Sequence, residues 1–168
     1  YSLLTLVRST DTAEYWKAVV AGIAGFELPV LIKRLKPEAT ADKTAVERLL
    51  TEARIAAVMQ FGNIAKTYEN GEIDGVYYIA MEDVAGLDLF RLLSQATLVK
   101  AQVPPEVCLW IAAEVAKALH YVHNARDDYG RPLHVIHRAV SPSSIVLSAN
   151  GEVRLTDFSM ASAPGAVW

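Results

Sequence analysis

His137-Arg138-Ala139-Val140-Ser141-Pro142-Ser143-Ser144-Ile145-Val146-Leu147, followed downstream by Asp157-Phe158-Ser159, is the stretch on which the fold of this chain turns. The serines around Pro142 are turn chemistry, because short hydroxyl side chains bond nearby backbone and proline presets φ. Ile145 to Leu147 opens a return to short strands around the turn Ala149-Asn150-Gly151. Between the histidine-arginine pair and the turn stands Ala139, whose methyl group can neither accept a proton nor orient a hydroxyl.

Upstream of this stretch the pattern from Gly86 onward is helical. Asp88 to Ala96 carries Leu89, Leu92 and Leu93 inward, and Pro104-Pro105 opens a longer helix. In that helix Val107, Ile111, Val115, Ala118 and Val122 recur at spacings of three and four, an amphipathic stripe. Ala125 to Pro132 is polar and reads as a surface loop. The first half of the chain is different. Leu3 to Arg8, Tyr15 to Val20 and Leu28 to Leu35 are strand-like, with a turn over Gly22 to Gly25, so a meander is expected. A helix follows from Thr44, with Thr44 and Glu47 spaced as a capping box, Val46, Leu49, Leu50, Ala53, Ala56 and Ala57 on one face, and Gly62 as its stop. Ile64 to Tyr68 and Val76 to Met81 complete five strands, joined by a turn region containing Asn70-Gly71 and Asp74-Gly75.

Composition bounds the function. The 168 residues are 52% hydrophobic and 21% charged, enough apolar matter for one domain or two small lobes. A net charge of −3 without a basic cluster leaves no footprint for nucleic acid. The most apolar helical stretch, Glu106 to His123, is broken by Glu114 and Lys117, so no membrane segment is expected, and no signal-peptide pattern precedes the first strand. One cysteine, Cys108, excludes an internal disulfide and fits a reducing cytoplasm.

The motifs now join. Phosphoryl transfer from ATP needs a lysine on the phosphates, an acidic partner for it, metal-binding groups, a carboxylate at the attacking hydroxyl and a backbone cradle. Val30-Leu31-Ile32-Lys33 is a strand ending in a lysine, and Glu52 follows on the next helix. With the hinge-like Met81-Glu82-Asp83-Val84, the His137 loop and Asp157-Phe158-Ser159, they stand in the order of a protein kinase. From Leu3 to about Ser159 the chain resembles that family. Arg54-Ile55-Ala56-Ala57 and Val140-Ser141-Pro142 resemble bacterial serine/threonine kinases of the myxobacterial kind. The resemblance implies an α+β, bilobal kinase-like fold: residues 1–85 as a five-stranded antiparallel N-lobe with one helix, and residues 86–168 as a mainly helical, incomplete C-lobe. It also implies a nucleotide site at Lys33, Glu52, Glu82, Val84 and Asp157, with Asp157 as the metal ligand.

The departures from that family are as informative. Ala139 corresponds to the catalytic aspartate, Ser144 to the asparagine that helps hold the second metal, and Ser141 to the loop lysine. The phosphate-cradling loop falls on residues 8–15, where Arg8, Thr10 and Ala13 replace three glycines and Asp11 repels a polyphosphate. Tyr15 stands where the family has valine and Leu31 where it has alanine, so the adenine roof is filled. Ser159 replaces the glycine that lets the Asp157 loop switch.

Each survivor also has a structural reading. Lys33, Glu52, Asp157 and Phe158 could form a residual metal and nucleotide site, but the favoured reading is an ion pair and an aromatic plug that hold two lobes together. His120 and His123, three apart on the long helix, lack further ligands and are expected to be partly buried; Cys108 is expected to be a small buried hydrophobe. His137 is expected to pack on Phe158, as the family does, while Ser141, Ser143 and Ser144 are candidate phosphate acceptors in a turn. Trp168 is an apolar end fit for docking or for a cut activation segment. The start inside a strand and the lack of further helices favour a piece of a longer protein.

The expected function is that of a kinase-like pseudoenzyme, a regulatory module acting through a protein partner or other domains, with no cofactor. The alternative is an atypical serine/threonine kinase that holds ATP and Mg²⁺ through Lys33 and Asp157 and transfers phosphate weakly; a third reading is a purely structural domain with a filled pocket.

Overall fold

The computed structural model describes residues 1–22 and 25–166, so Ile23-Ala24 of the expected turn and Trp168 lie outside the described residues. The chain divides into two compact units, Tyr1–Ala57 with Lys66–Asp83, and Val58–Ala65 with Val84–Trp168.

The first unit is an antiparallel sheet and a helix. Strands β1 (Ser2–Ser9), β2 (Ala13–Ala21), β3 (Glu27–Leu35), β4 (Thr67–Ile73) and β5 (Val76–Glu82) lie in the order β1-β2-β3-β5-β4. Alternation along β3 sends Val30 and Ile32 to one face, into a cluster with Ala18 and Ala80. Leu35 joins a second cluster of Ala13, Ile79 and three residues of helix α1 (Lys43–Ala57): Ala45, Leu49 and Ala53. Lys33 shares the Leu35 side of the strand.

The helix corrects two expectations. Asp42, not Thr44, caps it: the Asp42 carboxylate accepts from the Thr44 amide at 2.9 Å, and a 3-10 turn, Pro37–Ala41, leads in. Its buried residues are Ala45, Leu49, Glu52, Ala53 and Ile55, whereas Ala57 is exposed and Val46, Leu50 and Ala56 are half-buried. A count of apolar residues misplaces the face because Glu52 belongs to it.

The expected strand at Ile64 to Tyr68 is displaced to Thr67–Ile73. Its hairpin turns on Asp74-Gly75, between paired Ile73 and Val76, with φ of 51° and 79°. Two successive positive φ values favour this Asp-Gly pair, and they leave Asn70 and Gly71 in the strand.

Residues 58–65 belong to the second unit for a visible reason. The Leu155 amide donates to the Asn63 carbonyl at 2.7 Å, the Ala65 amide to the Leu155 carbonyl at 3.0 Å, and Asn63 Nδ2 to the Val153 carbonyl at 3.2 Å. These bonds hold the segment, and α1 ends at Ala57 rather than running to Gly62.

That unit contains a small sheet of β6 (Gly86–Asp88), β7 (Ile145–Ser148) and β8 (Val153–Leu155) with helices α2 (Leu89–Leu98) and α3 (Pro105–His123). Gly86 is demanded by packing, since a Cβ there would lie 1.9 Å from the Leu147 carbonyl oxygen. Asp88 caps α2 by accepting from the Arg91 amide at 2.8 Å. Leu89 and Leu92 are half-buried, but Leu93 is exposed, contrary to expectation. On α3, Ile111, Val115, Ala118 and Val122 are buried as the stripe requires, while Val107 is half-buried.

Candidate functional site

In the first unit the chemistry centres on one buried pair. The Lys33 ammonium donates to the Glu52 carboxylate, and each residue is 6% exposed. β3 supplies the lysine and α1 the glutamate, so strand and helix must dock in one register for the charges to meet. Burial alone would lower the lysine's pKa, but the Glu52 charge and the Tyr15 hydroxyl outweigh it and hold the pKa above its ordinary value. Leu31, two residues before Lys33 and therefore on the same face of β3, is half-buried. Glu82 accepts from the Lys66 amide at 3.0 Å through its side chain, and neighbouring Asp83 pairs with Lys17 at 3.0 Å.

The turn between β1 and β2 is closed on itself. The Thr10 amide donates to the Ala13 carbonyl at 2.8 Å, and the Ala13 amide donates to the Thr10 hydroxyl at 3.0 Å. A phosphate cradle works through backbone N–H groups turned toward the anion. Here two of them already have protein acceptors.

In the second unit the loop after His137 is equally self-satisfied. Ser144 is 2% exposed, and its hydroxyl accepts from the Ser141 amide at 2.9 Å. The same oxygen lies 3.1 Å from the Ala139 carbonyl and 3.0 Å from the Ser141 carbonyl, to which its single proton can be given. Ala139, Ser141 and Ser144 are therefore brought together as a capped 3-10 turn, Pro142–Ser144. That ring of bonds uses the hydroxyl for structure and leaves it poorly suited to a cation.

His137 ties this loop to the segment before Asp157. Its Nδ1 accepts from the Ala139 amide at 3.2 Å, so Nε2 carries the proton and donates to the Thr156 carbonyl at 3.0 Å. The ring lies 4.7 Å from that of Phe158. Burial lowers the His137 pKa against the opposing pulls of the Thr156 carbonyl and the Asp157 charge. Arg138 and Asp157 take left-handed φ values of 65° and 63°, which non-glycine residues hold only when their surroundings over-determine them. Asp157 is half-buried, and its carboxylate accepts from the Ser159 amide at 3.4 Å. Val84 is half-buried at the start of this unit's longer segment.

A buried lysine-glutamate pair between strand and helix, a histidine-anchored loop and a left-handed Asp-Phe element form an ordered set, and residues 18–165 match the model of the protein kinase domain. The chain belongs to the protein kinase family. It is 37% identical over 163 residues to tyrosine-protein kinase MasK of Myxococcus xanthus, covering 97% of this chain and 25% of MasK. It is 28% identical over 168 residues to serine/threonine-protein kinase PknI of Mycobacterium tuberculosis, covering 98% of this chain and 26% of PknI. Against the crystal structure of the Mycobacterium tuberculosis PknI kinase domain the TM-score is 0.68 at 31% identity, over 98% of this chain and 61% of that one. This kinase domain thus spans about a quarter of those two curated relatives. Bacterial kinases are its homologues, and its α+β architecture with a five-stranded antiparallel sheet is theirs.

Kinases of this family use ATP with Mg²⁺, two ions being held by the Asp of the Asp-Phe element and the loop asparagine. In this kinase domain the second donor is Ser144, already committed to backbone, so the residues do not fit a two-metal site. Among the described residues no group of three or more His, Cys, Asp or Glu gathers as a metal set. No helix among them is long and apolar enough to cross a membrane.

Other expectations are corrected. His120 and His123 are exposed, not partly buried, because both fall outside the buried stripe of α3. Cys108 is exposed for the same reason. Sequence reasoning missed the closure of the Thr10–Ala13 turn, although a threonine three residues before the returning strand was its signal. It also missed the Ser144 bonds, which the Ser141/Ser144 spacing of a capping box announces.

Proposed function

We propose that this kinase domain is a pseudokinase, a regulatory module that binds a protein partner or neighbouring domains of a longer chain and does not transfer phosphate. The observation that carries the reading is Ala139 at the catalytic carboxylate position, joined to Ser144 by a hydrogen bond where the family places a metal-binding amide. Without the carboxylate nothing orients the attacking hydroxyl; without the amide the second metal loses its protein ligand. We assign residues 1–85 to the N-lobe and 86–168 to the C-lobe, and no bound cofactor to either. Ala139, Ser141 and Ser144 mark the lost catalytic positions, and Lys33, Glu52, Glu82, Val84 and Asp157 a vestigial nucleotide site. The low cysteine count favours the cytoplasm.

A second reading has its own support. The Lys33–Glu52 pair is formed and Asp157 is present, so an atypical serine/threonine kinase holding ATP and Mg²⁺ remains the rival, because positioning and electrostatics supply much of phosphoryl transfer. Melting the protein with and without ATP and Mg²⁺ tests whether the pocket is filled, and transfer of labelled phosphate separates the two readings. Ligand that binds only the folded state raises the melting temperature. The pseudokinase reading predicts no transfer of labelled phosphate in the same samples; transfer that Asp157→Ala abolishes would sink it.

A further inference from the structure

Strand register places three residues in one row across the first sheet. Arg8 on β1 is paired with Tyr15 on β2, and Tyr15 with Lys33 on β3. Directly opposed residues share a face, so these side chains meet. The Arg8 guanidinium lies 3.9 Å from the centre of the Tyr15 ring, and the Lys33 ammonium lies 5.4 Å from it. Both distances fall within the range of cation–π attraction. Lys33 at the same time donates to the Glu52 carboxylate.

We propose that Tyr15 is a built-in occupant of the Lys33 position: clamped by Arg8 on one side, it holds the lysine and gates polyphosphate ligands away from it. This rests on the family reading of Lys33 as the phosphate-binding lysine and deepens it. The ligand class excluded is a nucleoside triphosphate or a related polyphosphate. The gate is conditional rather than absolute. A ligand that binds only when Tyr15 has swung away has its affinity reduced by the fraction of molecules in which it has. The clamp is also peripheral, because β1 is exposed along its whole length and Arg8 with it.

The test is titration of the full-length protein with a fluorescent ATP analogue, comparing wild type with Tyr15→Val, Tyr15→Phe and Arg8→Ala. Tyr15→Val removes ring and hydroxyl together and is expected to tighten binding about tenfold, the scale of a cation–π attraction between the ring and a partly desolvated cation. Tyr15→Phe keeps the ring and should tighten it less. Arg8→Ala should shift affinity the same way, and at an exposed position it carries the test alone if Tyr15→Val does not fold. Lys33→Met added to Tyr15→Val should erase the gain. Wild type binding as tightly as Tyr15→Val and Arg8→Ala would overturn the gate, as would a gain that survives Lys33→Met. The two readings fail separately. Phosphate transfer by Tyr15→Val would end the pseudokinase reading and leave the gate standing, whereas tight binding by wild type without transfer would do the reverse.

Discussion

The Ser144 hydroxyl lies 3.1 Å from the carbonyl oxygen of Ala139, so the two residues proposed for the metal-ligand and catalytic positions are tied within one loop. On the pseudokinase reading, two losses of chemistry have become one piece of loop structure. Where the family holds a carboxylate and an amide toward substrate, this loop satisfies itself.

Removing that hydroxyl should cost stability. Ser144→Ala leaves the Ser141 amide without its side-chain acceptor, a loss of about 1–3 kcal/mol in urea unfolding. No effect would mean that the loop is held by other interactions.

Restoring the family residues tests the chemistry directly. Ala139→Asp with Ser144→Asn should raise labelled-phosphate transfer above wild type if these two positions are the principal defect. The phosphate-loop turn and Tyr15 limit the recovery.

Lys33 and Glu52 predict an asymmetry. Glu52→Ala strands a buried ammonium and should cost about 3–5 kcal/mol, whereas Lys33→Met with Glu52→Leu should be close to neutral. Urea unfolding of both variants checks it. Equal costs would mean that the pair is not desolvated.

His137 makes stability depend on pH. Its folded pKa is lowered, chiefly by burial, so below about pH 6.5 the unfolded chain binds a proton that the folded chain resists. Stability is therefore complete above that pH and falls as pH drops toward the folded value. Unfolding midpoints from pH 7.5 down to 5.5 should decline in wild type below about pH 6.5 and flatten in His137→Gln.

Much of this is legible without the structure, and the exceptions have physical causes. β3 and β5 announce themselves because alternation and β-branching agree along them. The Lys33–Glu52 pairing follows from a strand-then-helix order. Helix α1 is harder, since a glutamate on the buried face defeats any count of apolar residues. The start of β4 is misread because Ile64 is apolar for a different reason: it bridges to Leu155 within the second unit. At the site, residue identities place Ala139 and Ser144 in one loop but do not give the bonds they make. The closed Thr10–Ala13 turn and the Ser144 bonds depend on the spacing of hydroxyl side chains from backbone partners, which no single residue type specifies.

The most direct test is transfer of labelled phosphate from ATP with Mg²⁺ by the full-length wild-type protein, set beside Asp157→Ala under identical conditions. A pseudokinase gives equal background signal from both. Transfer by wild type that disappears in Asp157→Ala would contradict the account.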